Sequence, residues 1–133
     1  MEEANAKVLD SVENVVKQKN NSPNTVLIKM KIAITSTGNS LESELDPRFG
    51  RCAYFIIYDT ETKEHDIIRN ENKNIDDGAG PKAVELIASH QVKKVISKEF
   101  GIKIKSLLCD YKIQMIMIKE KRTIEEIIKL INH

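Results

Sequence analysis

A chain of 133 residues, 41% hydrophobic and 31% charged, has the length and composition of one soluble globular domain. A formal net charge of +1 excludes the basic excess of a general nucleic-acid binder, and no apolar run approaches the ~18 residues of a membrane span. The N-terminus lacks an apolar signal core, and Cys52 and Cys109 show no CxxC spacing, which predicts a cytoplasmic chain with reduced thiols.

Residues 2–19 read as an extra helix, because Val8, Val12 and Val15 recur at helical spacing while Glu2, Glu3, Lys7, Glu13 and Lys17 fill the other faces. Valines are mediocre helix formers and the seam is short, so this helix needs the domain or a partner to pack on. The seam is a candidate homodimer surface. Asn20-Asn21-Ser22-Pro23-Asn24 then reads as a linker, which divides the chain into an extension, 1–25, and a domain, 26–133.

Residues 26–35 read as a strand whose later half, Ile32-Ala33-Ile34, is buried on both faces. A polar loop beginning at Ser36 ends it. Asp46-Pro47-Arg48-Phe49-Gly50-Arg51-Cys52 follows, a seven-residue loop holding two guanidiniums and a thiol at the entrance of the next strand. Pro47 pushes Asp46 toward extended geometry, and Gly50 allows backbone conformations that other residues avoid. Residues 53–58 and 64–69 read as a hairpin around a polar turn. Gly78-Ala79-Gly80-Pro81 opens a helix, with Pro suited to its first turn. Residues 92–97 form a short strand, and Ile104, Leu107, Leu108 and Tyr111 repeat at helical spacing. Residues 113–118 read as a strong strand, and Thr123-Ile124-Glu125-Glu126 is a capping-box signature opening a helix with an Ile124, Ile127, Ile128, Ile131 stripe.

The order β-β-β-α-β-α-β-α predicts an α/β fold with a mixed five-stranded sheet and helices on both faces, preceded by the extra helix. Ligands of such sheets collect at the carboxyl ends of the parallel strands. Lys98, Lys119, Lys121 and Arg122 are expected there beside Arg48, Arg51 and Lys82, a locally basic rim suited to an anionic ligand.

Met30-Lys31-Ile32-Ala33-Ile34, the Asp46-Pro47-Arg48-Phe49-Gly50-Arg51-Cys52-Ala53-Tyr54-Phe55 string and the Gly78-Ala79-Gly80 helix entrance together resemble the nitrogenase iron–molybdenum cofactor biosynthesis family. This is the family of NifX-like proteins and the C-terminal domain of NifB. The resemblance runs from Met30 to about Asn132. It implies a ribonuclease-H-like topology and a non-enzymatic carrier or scaffold for an iron–sulfur or molybdenum–iron–sulfur cluster, with metallocluster assembly proteins as partners. Arg48, Phe49, Gly50 and Arg51 match the family's signature loop, Gly78 and Gly80 its glycine-rich helix entrance, and Cys52 a position where some relatives also carry cysteine. Ser36, at the end of the first strand, and Lys82, in the first helical turn, complete the expected cofactor-binding set, with Cys52 the candidate metal ligand. The chain departs from relatives at Asn74-Ile75-Asp76-Asp77, Ser97-Lys98-Glu99-Phe100 and Lys119-Glu120-Lys121-Arg122. These departures support an alternative, a small-anion or protein-interaction module of the same fold that has lost cluster binding.

Each candidate has a second reading. Cys52 suits a metal–sulfur site because nearby arginines favour a thiolate, yet one cysteine cannot complete a four-thiolate set, and a small buried thiol serves equally well as packing. Arg48 and Arg51 are suited either to grip an anion or to pair with Asp46 or Asp59 and pin the loop. Gly78 and Gly80 suit either backbone N–H groups facing an anion or a plain tight turn. Nuclease chemistry on this topology needs clustered carboxylates, one usually on the first strand, and residues 30–36 contain none. With no Ser/His/Asp or Cys/His set either, no enzyme is expected.

Overall fold

The apolar run after Met30 becomes the central strand of a mixed sheet, described in a computed structural model for residues 6–9 and 30–132. In chain order the strands are β1 (Ala6–Leu9), β2 (Lys31–Ser36), β3 (Tyr54–Asp59), β4 (His65–Arg69), β5 (Val92–Ser97) and β6 (Gln114–Ile118). The helices are α1 (Ala79–Ala88), α2 (Ile102–Asp110) and α3 (Ile124–Ile131). Across the sheet the order is β1-β6-β5-β2-β3-β4. β2–β3 and β3–β4 pair antiparallel, whereas β2–β5 and β5–β6 pair parallel. The five strands from β2 onward form the expected mixed sheet, with β2 at the junction of its antiparallel and parallel halves.

The expected helix over residues 2–19 is corrected where the structure describes it. Residues 6–9 extend the sheet as a sixth strand, with Ala6 opposite Met115 and Leu9 opposite Ile118 in parallel register. Beta-branched Val8 suits this state better than a helix, and β6 offers an edge whose backbone groups need partners. The rest of that expected helix, and the linker after it, lie outside the described residues.

Alternation along the strands divides the core between two faces. Ala33, Phe55, Ile57, Val95 and Met115 pack with Val84 and Ile87 of α1 and Ile104 and Leu108 of α2. Ile32, Ile34, Ile56, Ile96 and Ile116 meet the isoleucine stripe of α3 on the other side. Each of those α3 isoleucines contributes roughly 1.5–3 kcal/mol by burial. The Thr123/Glu126 capping box forms as the sequence predicts.

Candidate functional site

The loop from Asp46 to Cys52 is laid across the carboxyl ends of β2 and β5 by hydrogen bonds that begin at Asp46. Its N–H donates to the Thr35 carbonyl at 3.0 Å, and its carbonyl lies 2.8 Å from Thr35 Oγ1 and 3.3 Å from Ser97 Oγ. Asp46 is itself buried, and its Oδ1 accepts from the Arg48 N–H at 2.9 Å with Arg48 Nε 3.6 Å away. One residue on, the Pro47 carbonyl accepts from the Glu99 N–H at 3.1 Å, tying the loop to the segment after β5. Phe49 anchors the loop in the core, with its ring centroid 5.6 Å from those of both Phe55 and Phe100. Arg48, with the backbone fixed on either side of it, keeps 58% of its side chain exposed.

Glycine contacts bring the loop onto α1. A Cβ on Gly50 would lie 2.9 Å from Gly80 Cα, and one on Gly80 would lie 2.4 Å from Ile104 Cδ1 of α2. Gly78, the N-cap of α1, adopts φ 79°, a left-handed conformation that glycine takes without steric cost. Arg51 turns away from α1 toward the preceding loop. Its Nη1 donates to the carbonyls of Lys73 and Ile75 at 2.9 Å each, and its Nη2 to the Asp76 carbonyl at 3.4 Å. Cys52 is fully buried, with Sγ 3.4 Å from the Phe49 carbonyl and Asn70 Nδ2 bonded to its own carbonyl at 2.9 Å. Burial, reinforced by the Asp46 carboxylate, pushes its thiol pKa up to about 12.

These elements enclose a cleft of about 470 Å³. Its walls are the signature loop at Arg48–Arg51, the α1 entrance at Gly78–Pro81, and the α2 entrance around Gly101, Lys103 and Ile104. Neither helix entrance has a side-chain cap, and neither carries an acidic residue in its first turn. The first N–H groups of both, at Ala79 and Gly80 and at Ile102 and Lys103, find no protein acceptor among the described residues. The α3 entrance is the contrast. There Ile124 N–H donates to Ser43 O at 2.9 Å, Glu125 N–H to Leu41 O at 2.8 Å, and Glu126 N–H to Thr123 Oγ1 at 3.2 Å. Helix N-termini carry partial positive charge, so two uncapped ones converging on a cleft favour an anion there.

Of the predicted site residues, Arg48, Phe49, Gly50, Arg51, Gly78 and Gly80 line this cleft together. Lys82 lies one turn into α1, exposed and outside the lining. Ser36 is buried, and its Oγ is bonded within its own turn to the Gly38 carbonyl at 2.7 Å and the Gly38 N–H at 3.2 Å. The expected basic rim is corrected. Lys121 pairs with Glu44 at 3.4 Å and Arg122 with Glu120 at 3.1 Å, near the α3 entrance, while the cleft balances Arg48, Arg51 and Lys103 with Asp76, Asp77 and Glu99. Sequence reasoning missed the α2 wall. The signal was available, because Gly101 precedes an apolar-periodic run much as Gly78 does. Among the described residues no three His, Cys, Asp or Glu side chains are placed to hold a metal ion, and no helix is long and apolar enough to cross a membrane.

Residues 30–133 match the protein family described as dinitrogenase iron-molybdenum cofactor. An uncharacterized protein of Methanocaldococcus jannaschii is 36% identical over 77 residues, 56% of this chain and 62% of that protein's length. The fold is similar to that of the apo form of the orange protein from Desulfovibrio gigas, with a TM-score of 0.71 and 27% identity over 75% of this chain and 84% of the other. It is also similar to a Thermotoga protein described as a NifB candidate, with a TM-score of 0.67 and 32% identity over 75% and 84% of the two chains.

Proposed function

The chain belongs to the dinitrogenase iron–molybdenum cofactor family, and on that footing we propose that it is a non-enzymatic binding protein for an anionic metal–sulfur cluster. The cluster arrives as cargo with its own ligands. It sits in the cleft between the α1 and α2 entrances, beside the N–H groups of Gly80, Ile102 and Lys103 that lack a protein acceptor among the described residues, and Arg48, half-exposed beside Asp46, supplies positive charge at the rim. The observation that carries this reading is the convergence of two uncapped helix N-termini on one cleft beside the family's signature loop.

Cys52 then acts from beneath the site. Its Sγ is fully buried and absent from the cleft lining, and burial raises its thiol pKa, which disfavours the thiolate that a metal needs. Its packing holds Phe49, and Phe49 holds the loop. Arg51 likewise fixes the 73–76 backbone and so shapes the cleft wall rather than gripping the cargo.

Anaerobic incubation with ferrous iron and sulfide, followed by desalting and metal analysis, tests the proposal. The expected product is a coloured protein that retains iron and sulfide, still formed by Cys52→Ala and reduced several-fold in Arg48→Ala. A colourless protein without iron would overturn it. The absence of cysteine and histidine from the cleft lining favours one second reading, a site for a small organic or phosphate anion. That reading predicts thermal stabilisation by such an anion without metal.

A further inference from the structure

We propose that the solvent face of α2, at the mouth of the cleft, is a docking seam for an acidic segment of a partner protein. Charge along this chain is segregated although its total is near neutral. Residues 93–112 carry six lysines against Glu99 and Asp110, whereas residues 59–85 carry eight carboxylates against Lys63, Arg69, Lys73 and Lys82. Near α3, Lys121, Arg122 and Lys129 each lie within 4 Å of a glutamate. Lys98, Lys103, Lys105 and Lys112 form no ion pair among the described residues.

In this stretch, beside Lys103 and Lys105, stands the most exposed large hydrophobic side chain among the described residues, Ile102, at 86%. The inward face of α2 is made by Ile104 and Leu108. The outward stripe, at i, i+4 and i+7, is therefore Ile102, Ser106 and Cys109, all exposed, with Lys103 and Lys105 on its flanks. The stripe is about 10 Å long, the reach of two helical turns. An apolar anchor with a small-residue seam and cationic flanks fits an amphipathic segment whose polar rim is acidic. Nucleic acid fits less well, because its contacts centre on charge and Ile102 has no role in them. A partner seated here also reaches the cleft mouth, since Lys103 belongs to both surfaces. Docking and cargo access are thereby coupled, whatever anion the cleft holds.

The test uses the full chain in its producing cells, with a photo-crosslinking residue at Ile102 or Ser106 and a control at Glu85, an exposed position on α1. Mass spectrometry then identifies the attached peptide. The expected result is one protein adduct from the α2 positions, joined through a segment rich in Asp and Glu, absent at Glu85 and reduced at least several-fold by Lys105→Glu. An unchanged thermal midpoint in Lys105→Glu shows that the loss is not unfolding. No adduct, an adduct to nucleic acid, a peptide without acidic excess, or a yield indifferent to Lys105→Glu would each overturn the proposal.

Discussion

Gly50 rests on Gly80 so closely that a Cβ on Gly50 would lie 2.9 Å from Gly80 Cα and 3.1 Å from Gly80 N. This contact seats the signature loop on the N-terminus of α1, and neither partner can move without displacing backbone. Gly50→Ala should therefore cost about 1–3 kcal/mol, the usual penalty for forced overpacking, and should also narrow the cleft. Gly80→Ala should cost less, because it meets Ile104 Cδ1, the far end of a side chain that can rotate. Urea unfolding of both variants checks the order.

Gly78 separates strain from crowding. A Cβ there meets nothing within 4 Å, yet φ is 79°. Gly78→Ala should lose about 1–2 kcal/mol through the backbone alone. Gly78→Asn, which tolerates the left-handed region, should recover part of that loss in the same unfolding experiment.

Arg51 serves three carbonyls of one loop, at Lys73, Ile75 and Asp76. Arg51→Ala should speed hydrogen exchange at the Lys73 and Ile75 amides and lower stability by about 1–2 kcal/mol. Arg51→Lys should restore little, because a single ammonium cannot reproduce the planar fork. Full protection in Arg51→Ala would show that the loop holds itself.

Cys52 makes stability sensitive to alkali. Its thiol holds its proton to about 12 in the folded chain against a reference of 9.0, so above about 9 the unfolded chain releases a proton that the folded one keeps. The stabilisation is complete below that value and is lost as pH rises toward 12. Cys52→Ala should flatten the fall in urea midpoint across this window, leaving a smaller slope to which Tyr58, also raised by burial, contributes. At about pH 8, iodoacetamide should label exposed Cys109 and spare Cys52, a difference that peptide mass spectrometry reads directly.

The order of elements from β2 to α3 was legible because period-two and period-3.6 patterns are separated there by glycine, proline and polar turns. The capping box at Thr123 was visible for the same reason, being a local interaction. At Val8 the pattern misled because a β-branched residue also suits a strand, and the edge of β6, remote in sequence, decides the outcome for residues 6–9. Cleft residues in the signature string were readable as a group. The α2 wall was legible only as a helix start after Gly101; that Gly101 and Ile104 join the site follows from β5 lying beside β2. The fate of Lys121 and Arg122 depended on Glu44 and Glu120, which distance and solvent exposure assign and sequence does not.

The central claim is that backbone N–H groups at two helix entrances hold an anionic cargo. An amide NMR titration with an iron–sulfur anion that carries its own thiolate ligands tests it most directly. The account predicts the largest shifts or broadening at Gly80, Ile102 and Lys103, with the capped amides of Ile124, Glu125 and Glu126 unchanged. Effects centred instead on a separate hollow lined by Tyr54, Arg69 and Asn70, or no effect at Gly80 and Ile102, would contradict it.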